Sequence, residues 1–263
     1  MKLWYYHIMK SQKLAPIDCQ NRLYFCCQML RRKRRDENLL HNIIFTDESA
    51  INLNGNISAH THGSYNILKN SGDAESGRPA GFLTEIGPNR TNVHFWSAVS
   101  GDGTLFGPYF FEATINSETY TTMLRNEAIP ALRALPNFNQ LVWVQDGAPA
   151  HRSELSARYL KGIFGRYRVI SKSNHPAVQF SSEWPAYSPD LTPCDYWLFS
   201  YIKRLVFYGE RPSNIEELIE KLIYVHVHVN EENKDMIRRA FGDFPKRLQR
   251  CIDHHGSHFE REP

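Results

Sequence analysis

No apolar run in this chain approaches the roughly 18 residues needed to span a bilayer. The opening residues, Met1 to His7, lack the long apolar stretch of a secretory signal. Cysteine is scarce and irregular. The five present (Cys19, Cys26, Cys27, Cys194 and Cys251) are odd in number and form no CxxC pair. Neither a disulfide framework nor a zinc ribbon is indicated, and a reducing compartment is expected. There is no G-x-x-x-x-G-K-[ST] run and no G-x-G-x-x-G, so no nucleotide cofactor is expected. Internal repeats are absent. Charge of one sign is not in large excess: the net charge is +3.

What is present is a globular composition. Of 263 residues, 41% are apolar and 13% aromatic, which excludes disorder as a description of the whole chain. The length allows one large domain or two small ones. The cations are clustered: Arg31-Arg32-Lys33-Arg34-Arg35, Lys203-Arg204, Arg238-Arg239 and Lys246-Arg247-Arg250. Any one cluster reads as a solvated face. A polyanion partner needs independent support.

Residues 1–41 read as a polar, basic lead-in with one amphipathic helix starting near Pro16. Asn42 to Asp47 is a short apolar run ending in a carboxylate, a buried strand. Ser49 to Asn54 continues to an Asn54-Gly55 hairpin signal. Residues 55–90, rich in Gly, Asn, Ser and Pro, read as a long inserted loop. Asn92 to Ser100 and Thr104 to Phe111 are strand-like, with a Gly101-Asp102-Gly103 turn between them. Ser117 to Leu135 is helical, with a kink or break at Pro130. Leu141 to Asp146 is a second buried strand ending in a carboxylate. Ser153 to Phe164 reads as helix, Arg168 to Ser171 as a short strand, and Pro193 to Tyr208, 214–228 and 231–253 as helices. Three leading strands followed by strand–helix alternation predict an α/β fold: a mixed five-stranded sheet with helices on both faces.

Two aspartates end buried strands, Asp47 and Asp146. Ligands gather outside the carboxyl ends of strands in open α/β sheets. On parallel neighbours the two carboxylates would lie about one strand spacing, roughly 4.8 Å, apart. Anions that close need a proton or a cation between them, and oxygen ligands point to Mg²⁺ or Mn²⁺. A third, Asp195, follows Thr192-Pro193 at the start of a helix, where the dipole favours an ionised carboxylate. Asp190 rivals it as third ligand. Each has an ordinary explanation as a turn or capping residue; the combination is what points to a metal site. The histidines at 60/62, 226/228 and 254/255/258 read as surface residues, His151 sits near the site without an assigned role, and Trp96 and Trp143 read as core.

Phe45-Thr46-Asp47-Glu48, Gln145-Asp146-Gly147-Ala148-Pro149-Ala150-His151 and Trp184-Pro185-Ala186-Tyr187-Ser188-Pro189-Asp190-Leu191-Thr192-Pro193-Cys194-Asp195-Tyr196 resemble the three catalytic blocks of mariner-type transposases. The tail, Arg247 to Asp253 followed by Gly256-Ser257-His258-Phe259-Glu260, resembles that of relatives in the family. The resemblance implies a ribonuclease-H-like fold and a triad of Asp47, Asp146 and Asp195 holding two Mg²⁺ or Mn²⁺ ions, with Asp190 in the motif but not a ligand. It implies cleavage of double-stranded DNA at element ends and attack of the freed 3′-hydroxyl on target DNA. It also implies a homodimer, residence in the nucleus and no membrane. On this reading residues 1–41 are linker, 42–210 the catalytic domain with 55–90 inserted, and 211–263 helices packed on it. Three departures stand out. The stretch between Asp146 and Asp195 is longer than in most relatives, with the surplus in Ser171 to Ser182, expected as a surface loop. Residues 1–41 match only the linker that follows the family's helix-turn-helix region. The aromatic anchors usual in the inserted segment are poorly preserved between residues 60 and 90. A non-catalytic, DNA-associated or partner-binding remnant is the alternative expectation.

Overall fold

The computed structural model describes residues 13–53 and 92–260. The Asn54-Gly55 hairpin and the 55–90 loop lie outside them, as do His60 and His62. The first described element is α1 (Pro16–Arg35), where the Asp18 carboxylate accepts from the Ala15 N–H at 2.9 Å and Pro16 needs no donor. A short α2 (Leu39–Asn42) leads into β1 (Ile43–Ile51). Then come β2 (Val93–Ser100), β3 (Leu105–Phe111), α3 (Ser117–Met123), α4 (Ile129–Arg133), β4 (Val142–Val144), α5 (Pro149–Arg152), α6 (Glu154–Phe164) and β5 (Val169–Ile170). Helices α7 (Phe199–Val206), α8 (Ile215–Glu232) and α9 (Lys234–Asp253) complete it.

The sheet has five strands in the order β3-β2-β1-β4-β5. β1, β2 and β3 pair antiparallel, and β4 and β5 join β1 in parallel. This is the predicted mixed sheet. Side chains alternate across it. Ile43, Phe45, Phe95, Val99, Val142, Val144 and Ile170 face one layer, with α1, α7, α8 and α9. Ile44, Trp96, Ala98, Trp143 and Val169 face the other, with α3 to α6. Trp96 and Trp143 are fully buried and stack with centroids 6.1 Å apart, as core.

Three expectations change in detail. The 117–135 helix holds a wide, π-helical turn at Leu124–Ala128 just before Pro130, which absorbs the missing N–H and the ring clash. The surplus at Ser171 to Ser182 is not a free surface loop. Val178 and Phe180 are buried in the α3–α6 layer, and the Ser171 N–H reaches the Ser182 carbonyl. His226 is buried rather than on the surface. Its Nδ1 faces the Leu222 carbonyl at 2.8 Å and so carries the proton, leaving Nε2 to accept from Ser97 Oγ at 2.9 Å.

Burial depresses the pKa of His226 to about 4. The unfolded chain therefore takes up a proton below about 6.5 that the folded chain refuses. Stability present above pH 6.5 is lost as pH falls towards 4. Between pH 7 and 4.5 this one group should remove about 2 kcal/mol. Urea titrations at the two pH values check it: His226→Gln should flatten the acid loss, and an unaltered pH dependence would refute the assignment.

Candidate active site

The alternation of β1 sorts its two adjacent acids to opposite faces. Asp47 shares the parity of Phe45 and points to the layer from which the helical turn Cys194–Leu198 arrives. Glu48 shares the parity of Ile44 and meets α5. Asp146 follows the end of β4, the parallel neighbour of β1. Asp195 lies in the first turn after Pro193, whose start is capped by the Thr192 hydroxyl accepting from the Cys194 N–H at 3.3 Å. That turn is π-helical, a form frequent at functional sites.

Asp47 and Asp195, both half-buried, lie close enough that each carboxyl feels the other. Burial, then the charges of Asp195, Asp146 and Glu48, push the Asp47 carboxyl well above its ordinary range. Burial and Asp146 push Asp195 up to about 7. Two carboxyls in contact hold one proton between them. Beneath them lies Lys203, 2% exposed, which burial lowers to about 8 while Asp195 and Asp47 hold it up. The sequence placed Lys203 with Arg204 in a solvated cluster. The helical period of α7 instead turns Lys203 inward and Arg204 outward.

Asp146 is held differently. Its Oδ1 accepts from the Ala148 N–H at 2.8 Å, an Asx turn, and from His151 Nδ1 at 2.6 Å. Burial favours its neutral form, but His151, the Ala148 N–H and Arg152 together pull it below the usual range. On the other side His151 Nε2 lies 3.0 Å from Glu48 Oε2. Burial disfavours the charged imidazole, yet Glu48 and Asp146 raise it well above its ordinary value. His151 is fully buried under the Tyr120 ring, 4.5 Å away. A buried imidazolium thus bridges Asp146 and Glu48. The spacing of Asp146 and His151 in one motif was legible; that Glu48 completes the bridge follows only from strand parity.

Gln145 fixes the same corner. Its Oε1 accepts from Tyr120 and Trp143, and its Nε2 donates to Ser171 Oγ and the His151 carbonyl. Asp190, the rival third ligand, is turned away. It makes a two-pronged ion pair with Arg22 of α1, at 2.8 and 2.5 Å, both groups buried. Arg22 also donates to Ser188 Oγ, the Tyr187 carbonyl and the Gly256 carbonyl. Arg247 of α9 donates to the Asp190 carbonyl at 2.6 Å, lies 4.0 Å over the Tyr196 ring and pairs with Glu260. Helix α1 and the tail therefore lock the 187–196 segment, and with it Asp195.

Among the described residues, no three His, Cys, Asp or Glu side chains close on one point at metal-coordinating geometry. Asp47 and Asp195 are in contact, whereas Asp146 leans onto His151. The crevice between Asp47 and Asp146, lined also by Trp184 and Thr192, has no space for a water molecule. The expected strand end at Asp47 is instead the middle of β1, which runs on to Ile51 against β2, but the donor chemistry fits a hard divalent cation: carboxylate oxygens from β1, from just after β4 and from an adjoining turn, which here need a shared proton and an imidazolium to offset their repulsion.

With this arrangement established, known structures are informative. The chain resembles the Mos1 transposase paired-end complex with the left transposon end, with a TM-score of 0.74 at 19% identity over 98% of this chain and 68% of that one. The fold is that of the Mos1 mariner transposase catalytic domain. Against that catalytic domain alone the TM-score is 0.67 at 18% identity, covering 95% of this chain and all of that one. The Mos1 mariner paired-end complex with Mn gives 0.75 at 19% identity, covering 98% of this chain and 68% of that one. No protein-family model matches the chain, and no curated protein does. The ribonuclease-H-like α/β architecture expected from the sequence is thus established. No helix among the described residues is long and apolar enough to cross a membrane.

Proposed function

We propose that this chain is the catalytic core of a mariner-type DNA transposase, cutting DNA at element ends and joining the freed 3′-hydroxyl to target DNA as a homodimer in the nucleus. The observation that carries the reading is the half-buried Asp47–Asp195 pair beside Asp146, with Asp47 and Asp146 each two residues beyond the last parallel pair of β1 and β4, Phe45 with Val144, in a Mos1-like fold. Asp47, Asp146 and Asp195 would hold Mg²⁺ or Mn²⁺, and similar structures have been solved with each metal. When bound, a pair of such ions activates the attacking oxygen and stabilises the leaving one in phosphoryl transfer.

The chain's own residues prepare that site. His151 and the Ala148 N–H orient Asp146. Glu48 anchors His151 from behind. Lys203 holds positive charge beneath Asp195 and Asp47. Arg22 and Arg247 fix the segment that delivers Asp195. A second reading, a DNA-associated remnant without turnover, draws on the commitment of Asp146 to His151 and on the lack of a closed three-ligand cluster among the described residues. Nicking of supercoiled plasmid in Mn²⁺ decides between them. The wild-type chain should nick, and Asp146→Asn should nick at least ~10³-fold more slowly, about 4 kcal/mol in barrier. Equal rates would leave the remnant reading standing.

A further inference from the structure

Beside α1 runs an open groove of about 810 Å³, walled on one side by α1 and on the other by residues 181–186. Its α1 wall carries Arg31 and Arg35, both exposed, and the opposite wall carries Lys172. Two tyrosines line it with their rings in solvent: Tyr24 is 69% exposed and Tyr167 68%. Large exposed aromatics on a folded surface lose apolar burial that a partner could restore. Acids are present as well: Asp18 accepts from the Ala15 N–H and Asp36 from the Asn38 N–H, each committed to its own helix end, while Glu183 is exposed on the wall opposite α1, and the four cations Arg31, Arg32, Arg35 and Lys172 outnumber these three acids by one. The groove does not stand alone. Trp184 lines it and also lines the crevice between Asp47 and Asp146. Phe25 and Phe45 pack edge-on against this indole, at 5.1 and 6.1 Å, and hold it in place. Lys172, Ser181 and Ser182 on this wall come from the segment between β5 and Trp184.

Cations spaced along a cleft with aromatic faces between them suit a single nucleic-acid strand. Phosphates bind the cations, and bases stack on the rings whatever their sequence. A duplex keeps its base faces stacked inside and offers none to a tyrosine. We propose that this groove binds an unpaired stretch of DNA next to the phosphodiester being cut, with phosphates on Arg31, Arg35 and Lys172 and bases stacked on Tyr24 and Tyr167. The proposal rests on the transposase reading for its occupant but not on turnover, because binding is measured without metal.

The test uses the full chain in EDTA, with fluorescent oligo-dT, oligo-U and a duplex of equal length as probes. The double variant Tyr24→Ala/Tyr167→Ala should weaken oligo-dT binding at least ~10-fold, from about 1–3 kcal/mol per stacked base. It should leave the salt slope unchanged. The triple variant Arg31→Ala/Arg35→Ala/Lys172→Ala should lower that slope by about 2, at roughly 0.7 per phosphate contact for single strands. All five side chains lie at the surface or on the groove wall, and matched thermal melts verify that the variants fold. Unchanged oligo-dT affinity in the tyrosine variant, or tighter binding of duplex or of oligo-U than of oligo-dT, overturns the proposal. Failed nicking with intact, tyrosine-dependent oligo-dT binding would remove only the catalytic reading.

Discussion

Asp195→Asn is expected to make the metal-free protein more stable and to abolish DNA cleavage. The two effects have one origin. A carboxyl whose folded pKa stands near 7, against an unfolded value of 3.8, favours folding fully only below 3.8. That contribution disappears as pH rises through 7, because the folded state must then ionise a buried group beside Asp47 and Asp146. At pH 8 the asparagine removes the burden, a gain on the order of 2–4 kcal/mol once the coupling to Asp47 is shared out. For a chain of this size that raises the melting temperature by several degrees. Millimolar Mn²⁺ should stabilise the wild type at pH 8 by binding the folded state, and should do so far less for the variant. Cleavage should fall at least ~10³-fold. An ordinary helix-start aspartate predicts the reverse: a small loss of stability from the missing cap and dipole interaction, no change in the Mn²⁺ response and intact nicking. Melting curves with and without Mn²⁺ at pH 5 and pH 8 discriminate, since the stability gain should fall to less than half at the lower pH.

Much of this site was legible because strand ends and helix starts carry local signals. Asp47 and Asp146 each close an apolar run, and the parallel pairing of β1 with β4 sets those runs side by side. Thr192-Pro193 announces the turn that presents Asp195. What stayed hidden depends on side chains far apart in sequence. Arg22 lies on a helix whose other cations face solvent, and nothing local marks it as buried; its partner Asp190 sits in a different motif. Lys203 adjoins an exposed arginine, and only the pitch of α7 separates their fates. His226 and His228 look alike as a pair, yet one meets Ser97 under the sheet and the other stays half-exposed. His151 was near Asp146 in the chain, but its second carboxylate, Glu48, comes from a different strand.

Arg22→Ala should be the most damaging substitution outside the carboxylates. It would leave Asp190, 1% exposed, as a buried anion without its two-pronged partner. Breaking a buried pair from one side costs about 3–5 kcal/mol. It would also free the Tyr187 carbonyl, on a residue held in the left-handed region at φ 55°, a conformation that costs a non-glycine residue on the order of 1 kcal/mol. The Gly256 carbonyl would lose its donor too. That glycine, at φ +80°, packs so closely that a Cβ would lie 2.1 Å from the Cys19 carbonyl oxygen, so the tail has no easy way to collapse into the gap. The loss must therefore appear both as a lower melting temperature and as weaker cleavage, because the 187–196 segment carries Asp195. Pairing it with Asp190→Asn separates charge from packing. If the cost is the buried anion left with only His258 beside it, 3.8 Å away, the double variant Arg22→Ala/Asp190→Asn recovers a large part of the stability lost by Arg22→Ala alone, a coupling of about 1–3 kcal/mol. If the two losses simply add, the pair is not what ties α1 and the tail to the catalytic segment. Cleavage by the double variant then reads how far the delivery of Asp195 depends on the guanidinium's remaining bonds to Ser188, Tyr187 and Gly256, which neutralising Asp190 does not restore.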